Sequence, residues 1–329
     1  MQSSEIHLEA ATEAELAAWH ELAAACWPVD HPERPPLTPM RSRDMLVPEG
    51  PEQVRGWLAR DAAGRPTGLA TMVLWARENA HLVSINVRVR PQLRRTGIGR
   101  HLAGLATDAA RAAGRTTAVI GAGVGSPGGH FARSLGYAHA FSEVSNLLRM
   151  SEVDPVAVAG WAAGAEAKTD GLVLVPWLSH VPAEVFEAFL RARASLDDVP
   201  MEDLDVRPEE PDGELFRQFE DGRLARGIRW HGMGAYEPET GVMAGCTTIH
   251  VDPEYPWANV GSTVVQPAYR GRGIGLWVKA ALIERLAGLE PHLTGHVTGN
   301  AAVNSHMRRI NERLGYRVLE EHHAWQRQL

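Results

Sequence analysis

Two short stretches stand out for the chemistry their spacing allows. Arg94-Arg-Thr-Gly-Ile-Gly99 and Arg270-Gly-Arg-Gly-Ile-Gly275 each follow an apolar run of strand character and precede a run with helical spacing. Glycines let the backbone turn tightly and let a ligand come close. The first N–H groups of the following helix have no partners within it, and the helix dipole adds positive potential there. A pyrophosphate fits such a site, and the flanking arginines add charge. Neither stretch ends in the Gly-Lys-Ser/Thr of a nucleotide phosphate loop, which makes a nucleotide-dependent enzyme a poor reading. Gly121-Ala-Gly-Val-Gly125 imitates the start of a dinucleotide fingerprint. Its third glycine would fall at Ser126, and no fitting βαβ unit follows.

The elements that position these turns occur twice. Val89–Gly99 has its counterpart in Val265–Gly275, and Leu135-Gly-Tyr137 has its counterpart in Leu314-Gly-Tyr316, in the same order. Such a repeat marks duplicated domains. Ile6–Glu9 and Leu172–Val175 can each open a sheet, and Glu13–Ala25 and Ala183–Ala194 have helical spacing of apolar positions. Val54–Arg60 with Thr67–Leu74 reads as a hairpin around Asp61–Gly64; its counterpart is Ile228–Tyr236 with Val242–Ile249. Strands Leu82–Val89 and Val260–Val265 follow, then the turns, then helices Arg100–Ala113 and Leu276–Leu286. Strands Thr116–Gly121 and Leu293–Val297 come next, each before a helix that runs into Leu-Gly-Tyr. This order predicts an α/β (α+β) class, a central mixed sheet flanked by helices in each copy. The domains are expected at 1–152 and 168–329, with a linker of about 153–167 rich in Ala and Gly that can also form a short helix.

Composition narrows the partners. The 329 residues are 44% hydrophobic and 22% charged, ordinary for a globular protein, with length enough for two cores. A formal charge of −7 argues against nucleic acid and leans toward a cationic ligand. Cys26 and Cys246 are the only cysteines, so a reducing cytoplasmic setting is expected. The N-terminus has no basic and apolar leader, and no apolar run approaches membrane-spanning length. A monomer or homodimer without nucleic-acid or membrane partners is expected.

The pattern Arg/Gln-x-x-Gly-x-Gly/Ala after a strand resembles the acetyl-CoA loop of the GNAT N-acetyltransferase superfamily. Arg94, Gly97 and Gly99 match it in the first copy, and Arg270, Gly273 and Gly275 match it in the second. The helices ending in Leu-Gly-Tyr also resemble that family, and the duplication resembles bacterial tandem GNAT proteins, with mycothiol synthase more distant. The resemblance implies acetyl-CoA as cofactor, held by Arg94, Arg95, Thr96, Gly97, Ile98 and Gly99 and by Arg270, Gly271, Arg272, Gly273, Ile274 and Gly275. It further implies a splayed fourth strand whose backbone pairs with pantetheine at Val87, Arg88 and Val89 and at Thr263, Val264 and Val265. Asn304 matches the family's pantetheine-holding Asn, but the position of its usual Tyr acid is Asn311. In the first copy these positions are Gly125 and Ala132.

The remaining candidates divide between chemistry and packing. Strand alternation puts His296 on one face with Thr294 and Thr298, where the resemblance implies a bordering thioester; a base or a structural histidine both fit. The first copy has Thr117 there, and Asn86 where the second has Ser262. Tyr137 and Tyr316 read as core aromatics. His322 and His323 lack the spacing of a metal site and read as solvent-facing strand residues, so no metal is expected. Asp197, Asp198, Glu202, Asp203 and Asp205 read as a solvated acidic loop, or as an amine-binding wall, since they precede a helix of the second copy. The expected function is direct acetyl transfer to a primary amine of a small molecule, with the second copy catalytic. A CoA-binding pseudoenzyme or scaffold, or acetylation of a protein amine, stay open as alternatives.

Overall fold

The computed structural model describes residues 2–6, 11–48, 50–198 and 201–329. They divide into two compact units. Unit 1 is Met1–Ser142, Met201–Arg207 and His322–Leu329; unit 2 is Glu143–Pro200 and Pro208–Glu321. No helix among the described residues is long and apolar enough to cross a membrane.

Unit 1 contains strands β1 (Gln2–Ile6), β2 (Gln53–Arg60), β3 (Pro66–Leu74), β4 (Leu82–Val89) and β5 (Thr117–Gly123). Its helices are α1 (Glu13–Asp30), α2 (Pro39–Asp44), α3 (Ile98–Ala112) and α4 (Pro127–Ser134). The first strand lies earlier than the expected Ile6–Glu9, whose residues 7–9 fall outside the described residues. Helix α1 opens on a capping box, Thr12 with Glu15, which satisfies N–H groups the first turn leaves over. The β2–β3 turn is fixed by Asp61, whose Oδ1 accepts from the N–H groups of Ala63 and Arg65, and by Gly64 at φ +80°. Neighbouring residues of β2 and β3 then face opposite ways. Leu58 and Leu69 pack under Trp19 and Leu22 of α1, while Ala59 and Ala70 pack under Leu102 and Ala106 of α3. Strands β1 to β5 run in order, and β5 is flanked by the end of the last strand, β12 (Arg317–Gln328), through His322–Gln328. The sequence repeat gives no sign that the chain's last residues belong to unit 1.

Unit 2 takes Glu143–Arg149 of β6 (Ala138–Arg149), then β7 (Val173–Leu178), β8 (Arg229–Glu237), β9 (Val242–Val251), β10 (Trp257–Val265) and β11 (Gly295–Ala301), in the order β6-β11-β10-β9-β8-β7. Its helices are α5 (Pro155–Ala162), α6 (Ala183–Arg193), α7 (Gly213–Ala225), α8 (Ile274–Leu289) and α9 (Ser305–Arg313). The expected linker forms α5, which lies against α8; the Trp277 indole donates to the Ala162 carbonyl at 2.9 Å. This is why α8 is buried on nearly all sides along its first turns. The opposite face of the sheet carries α6 and α7, whose Phe189 and Phe216 meet Trp177 and Trp230. Each unit is thus a mixed sheet with helices on both faces, and β4/β5 and β10/β11 are its parallel pairs.

Ending the chain at Glu321 removes the partner of β5 and the Trp325 ring that packs beside Gly129 of α4. Losing a large aromatic from a core costs about 3 kcal/mol or more. Hydrogen exchange should show faster amides along Thr117–Gly123, with unit 2 little changed; unaltered protection there would contradict this topology.

Candidate functional site

Both parallel pairs part after a short run. In unit 1, Leu82–Ser84 pair with Thr117–Val119, and the rest of β4 has no β5 partner. In unit 2, Trp257–Asn259 pair with Gly295–Val297, and β10 then leaves β11. The freed strand edge presents backbone N–H and C=O groups that call for a partner. A ligand segment with amide groups can lie there as a strand would. The two units differ at one point. Strand β4 stays in register with β3 from Val83 to Val89, whereas β10 shifts register against β9 between Val260 and Thr263. This bulge at Gly261–Ser262 re-aims the backbone at the point of parting. The Ser262 N–H donates to the Thr248 hydroxyl at 3.1 Å, and Gly261 is exposed.

Each parted strand feeds a Gly turn. Gly97 (φ +94°) and Gly273 (φ +78°) cap α3 and α8 in the left-handed region and supply no side-chain cap. The first-turn N–H groups of both helices therefore face outward for an anion. Arg95 (φ +68°) and Gly271 (φ +75°) tighten the same turns. Arg94 Nε donates to the Val89 carbonyl, as Arg270 Nε does to Val265, both at 3.2 Å. These arginines tie each turn to its strand, and Arg94 also pairs with Asp30 at 2.7 Å. Thr96 donates to the Leu93 carbonyl, and the Arg272 guanidinium lies over the Tyr269 ring. Ile274 is core. Space around the turns is unequal. A Cβ added at Gly97 or Gly271 meets nothing within 4 Å, but at Gly273 it would lie 2.6 Å from the Glu166 carbonyl. Lys168 N–H also donates to the Arg272 carbonyl at 2.9 Å.

Polar groups flank the unit 2 parting on both faces of the sheet. On the α6/α7 face, a Cβ on Gly261 would lie 2.8 Å from His250 Nε2. Arg223 hydrogen-bonds His250 Nδ1. Burial, then the charges of Arg223 and Arg193, hold the His250 pKa well below the usual imidazole value. Arg193 reaches Ser262 Oγ at 3.5 Å. On the α8 face, His296 is wholly buried and lines a cavity of about 10 Å³ with Thr247, Thr248, Lys279 and Tyr316. Neither ring nitrogen has a hydrogen-bond partner; burial, then Lys279, pulls its pKa to about 4. Lys279, over the Tyr316 ring, is pulled by burial to about 8.

The model of the acetyltransferase (GNAT) family matches residues 16–137 and again 194–316. The chain belongs to the GNAT family. A tandem GNAT protein from the clavulanic acid biosynthesis pathway, in a structure without acetyl-CoA, is 25% identical with a TM-score of 0.80, covering 99% of this chain and 98% of that one. A GCN5-related N-acetyltransferase from Sphaerobacter thermophilus shares the fold at TM-score 0.71 and 16% identity, over 99% and 95% of the two chains. No curated protein matches the sequence.

Within this GNAT frame the expected site residues separate. Val87, Arg88 and Val89, and Thr263, Val264 and Val265, lie on the parted lengths of β4 and β10. The Arg88 side chain lies over Trp27, and burial lowers its pKa. Asn304 caps α9, its side-chain oxygen accepting from Met307 N–H at 3.2 Å. Asn311 is buried and donates to Asn300 at 2.7 Å. Gly121 and Gly123 end β5, and Gly125 (φ +71°) turns toward α4. Tyr137 and Tyr316 lie in the cores. His322 and His323 are half-buried rather than solvent-facing: His322 pairs with Gly123, 6.2 Å from the His31 ring, and His323 meets His139 at 4.5 Å. The acidic loop is pinned within unit 1. Asp205 reaches His81 at 3.2 Å, Glu202 accepts from Ser142 N–H, and Asp203 N–H donates to Ala140; the Asp197 and Asp198 side chains lie outside the described residues. His250, Arg193 and Arg223 were not singled out in the sequence, because no spacing links a strand histidine to arginines on two helices.

His296 carries a pH signature. Its folded pKa lies below the value of the unfolded chain, so the unfolded state binds the extra proton. Its contribution is complete above pH 6.5 and is lost as pH falls toward about 4. His296→Leu should flatten the acid limb of stability by on the order of 3 kcal/mol, at 1.36 kcal/mol per pKa unit. An acid limb identical in both proteins would show that His296 is solvated.

Proposed function

We propose that unit 2 transfers the acetyl group of acetyl-CoA to a primary amine of a small molecule by direct attack, and that the observation carrying this is the bulge of β10, where the parted strand edge faces His250. Acetyl-CoA supplies the activated acyl group. The residues present fit it: an uncapped helix start behind a Gly turn for the pyrophosphate, and a freed strand edge at Thr263–Val265 for the amides of pantetheine. With the Ser262 N–H held by the Thr248 hydroxyl, the Gly261 N–H at the bulge donates to negative charge developing on the acyl oxygen. His250, uncharged at neutral pH and accepting from Arg223 on Nδ1, carries its proton on Nε2 and donates it as a hydrogen bond toward the acyl oxygen at the bulge, while the proton that the attacking amine releases passes to water. Holding amine and acyl carbon together at the bulge supplies much of the rate. His296, enclosed on the α8 face, shapes the floor of the site rather than exchanging protons with solvent. Asn311 is a carboxamide bonded to Asn300 and no acid, so the proton for the leaving thiolate would come from water. Unit 1 has the open turn and the parted strands without a bulge, which favours acetyl-CoA binding without transfer there.

Arg95→Asp and Gly271→Asp form a matched pair, since the two residues hold equivalent places in their turns at φ +68° and +75°, which Asp tolerates, and a Cβ at Gly271 meets nothing within 4 Å. Gly273 is unsuitable because its Cβ would collide with backbone. In a thiol-release assay, Gly271→Asp should abolish transfer and Arg95→Asp should leave most of it; the reverse result moves the chemistry to unit 1. His250→Ala should lower kcat on the order of a hundredfold, the cost of one lost oxyanion donor, with acetyl-CoA affinity near wild type in a calorimetric titration. An unchanged kcat would remove His250 from the mechanism.

A further inference from the structure

Arg193 ends α6 and turns its guanidinium into the face of unit 2 that carries the bulge. It lies over the ring of Phe216 at 5.0 Å and near that of Phe189 at 5.9 Å. Its hydrogen bond to Ser262 Oγ, at 3.5 Å, is a long one to a neutral group. Among the described residues no carboxylate pairs with it. The other charged groups facing this pocket add to the same sign: Arg223, over Phe219 and bonded to His250, comes from α7. Glu220 of α7 is turned away, occupied by Arg217 and by the Val181 N–H.

Buried charges in proteins are paired, and a guanidinium without an acid is an exception that requires an account. Contacts with ring faces offset part of the cost and leave the planar fork of donors unfilled. That fork matches the two oxygens of a carboxylate. The side chain is only partly buried, and Gly261 beside it is exposed, so a ligand can arrive from solvent. The position matters as much as the charge. Arg193 addresses Ser262, within the bulge itself, so an anion held there lies within a few bonds of the attacking amine.

We infer that Arg193 docks a carboxylate on the acceptor, and that the acceptor of unit 2 is an amino-acid-like amine with its apolar part toward the half-buried Phe219. This rests on the acetyl-transfer reading of unit 2 and deepens it. It also reverses the lean toward a purely cationic ligand that the net charge of −7 suggests, because the local field at the bulge is positive.

Benzoate and benzamide are matched probes of shape that differ in charge. Calorimetry on the whole chain saturated with CoA should give benzoate at least a tenfold tighter Kd than benzamide, about the worth of one charge-assisted hydrogen bond. Arg193→Gln should erase that ratio, and Arg193→Lys should restore part of it. Both variants should keep the wild-type CoA affinity and melting midpoint, and the wild-type comparison stands without them. Equal affinities, no benzoate binding, or a ratio that survives Arg193→Gln would each overturn the inference. A second arm compares phenylalanine with phenylalaninamide by thiol release. Preference for the free acid supports the inference, and preference for the amide counts against it. Benzoate discrimination with no thiol release from any amine would contradict acetyl transfer while leaving the Arg193 anion site standing.

Discussion

Both units depend on a parallel pair of strands that stays joined over three residues and then parts. Backbone amides inside a sheet are normally satisfied by the next strand. Where β4 leaves β5, and β10 leaves β11, those groups are offered to something else. Around that opening, the Gly turn ends the parted strand and begins a helix whose first N–H groups are also unspent. Strand edge and helix start together form one continuous track of donors, suited to a long ligand with amides at one end and phosphates at the other. The hydrophobic cores hold this geometry open by packing α3 and α8 firmly against one face.

The two copies have diverged at the parting itself. The bulge at Gly261–Ser262 of unit 2 has His250 behind it and Arg193 beside it. Unit 1 keeps an in-register β4 and an open turn. It also receives the chain's last residues, which bring His322 beside Gly123 and Trp325 into its core.

Much of the frame was legible in the sequence because it rests on local patterns. The Gly turns, the paired hairpins and the Leu-Gly-Tyr helix ends each depend on contiguous residues, and their repetition exposes the tandem plan. What lay hidden depends on long-range placement. Nothing local marks His322–Gln328 as the partner of β5, and the acidic Glu202–Asp205 stretch reads as solvated until Asp205 meets His81 and Gln326. For His296 a base and a structural histidine both fit the sequence because alternation identifies a face but not its depth; the fold buries it wholly, against α8 side chains. Arg193, Arg223 and His250 come from α6, α7 and β9, and only the fold brings them together. The bulge is invisible for a related reason: one extra residue on β10 leaves the apolar pattern intact.

The function proposed for both units requires acetyl-CoA to lie along the parted strand edge. Hydrogen exchange with and without acetyl-CoA tests this residue by residue. Acetyl-CoA is expected to slow exchange of the amides along Gly261–Val265 and in the first turn of α8, and along Val87–Val89 and the first turn of α3, with NADH leaving all of them unchanged. Unchanged exchange at these amides under saturating acetyl-CoA, or equal protection by NADH, would contradict it.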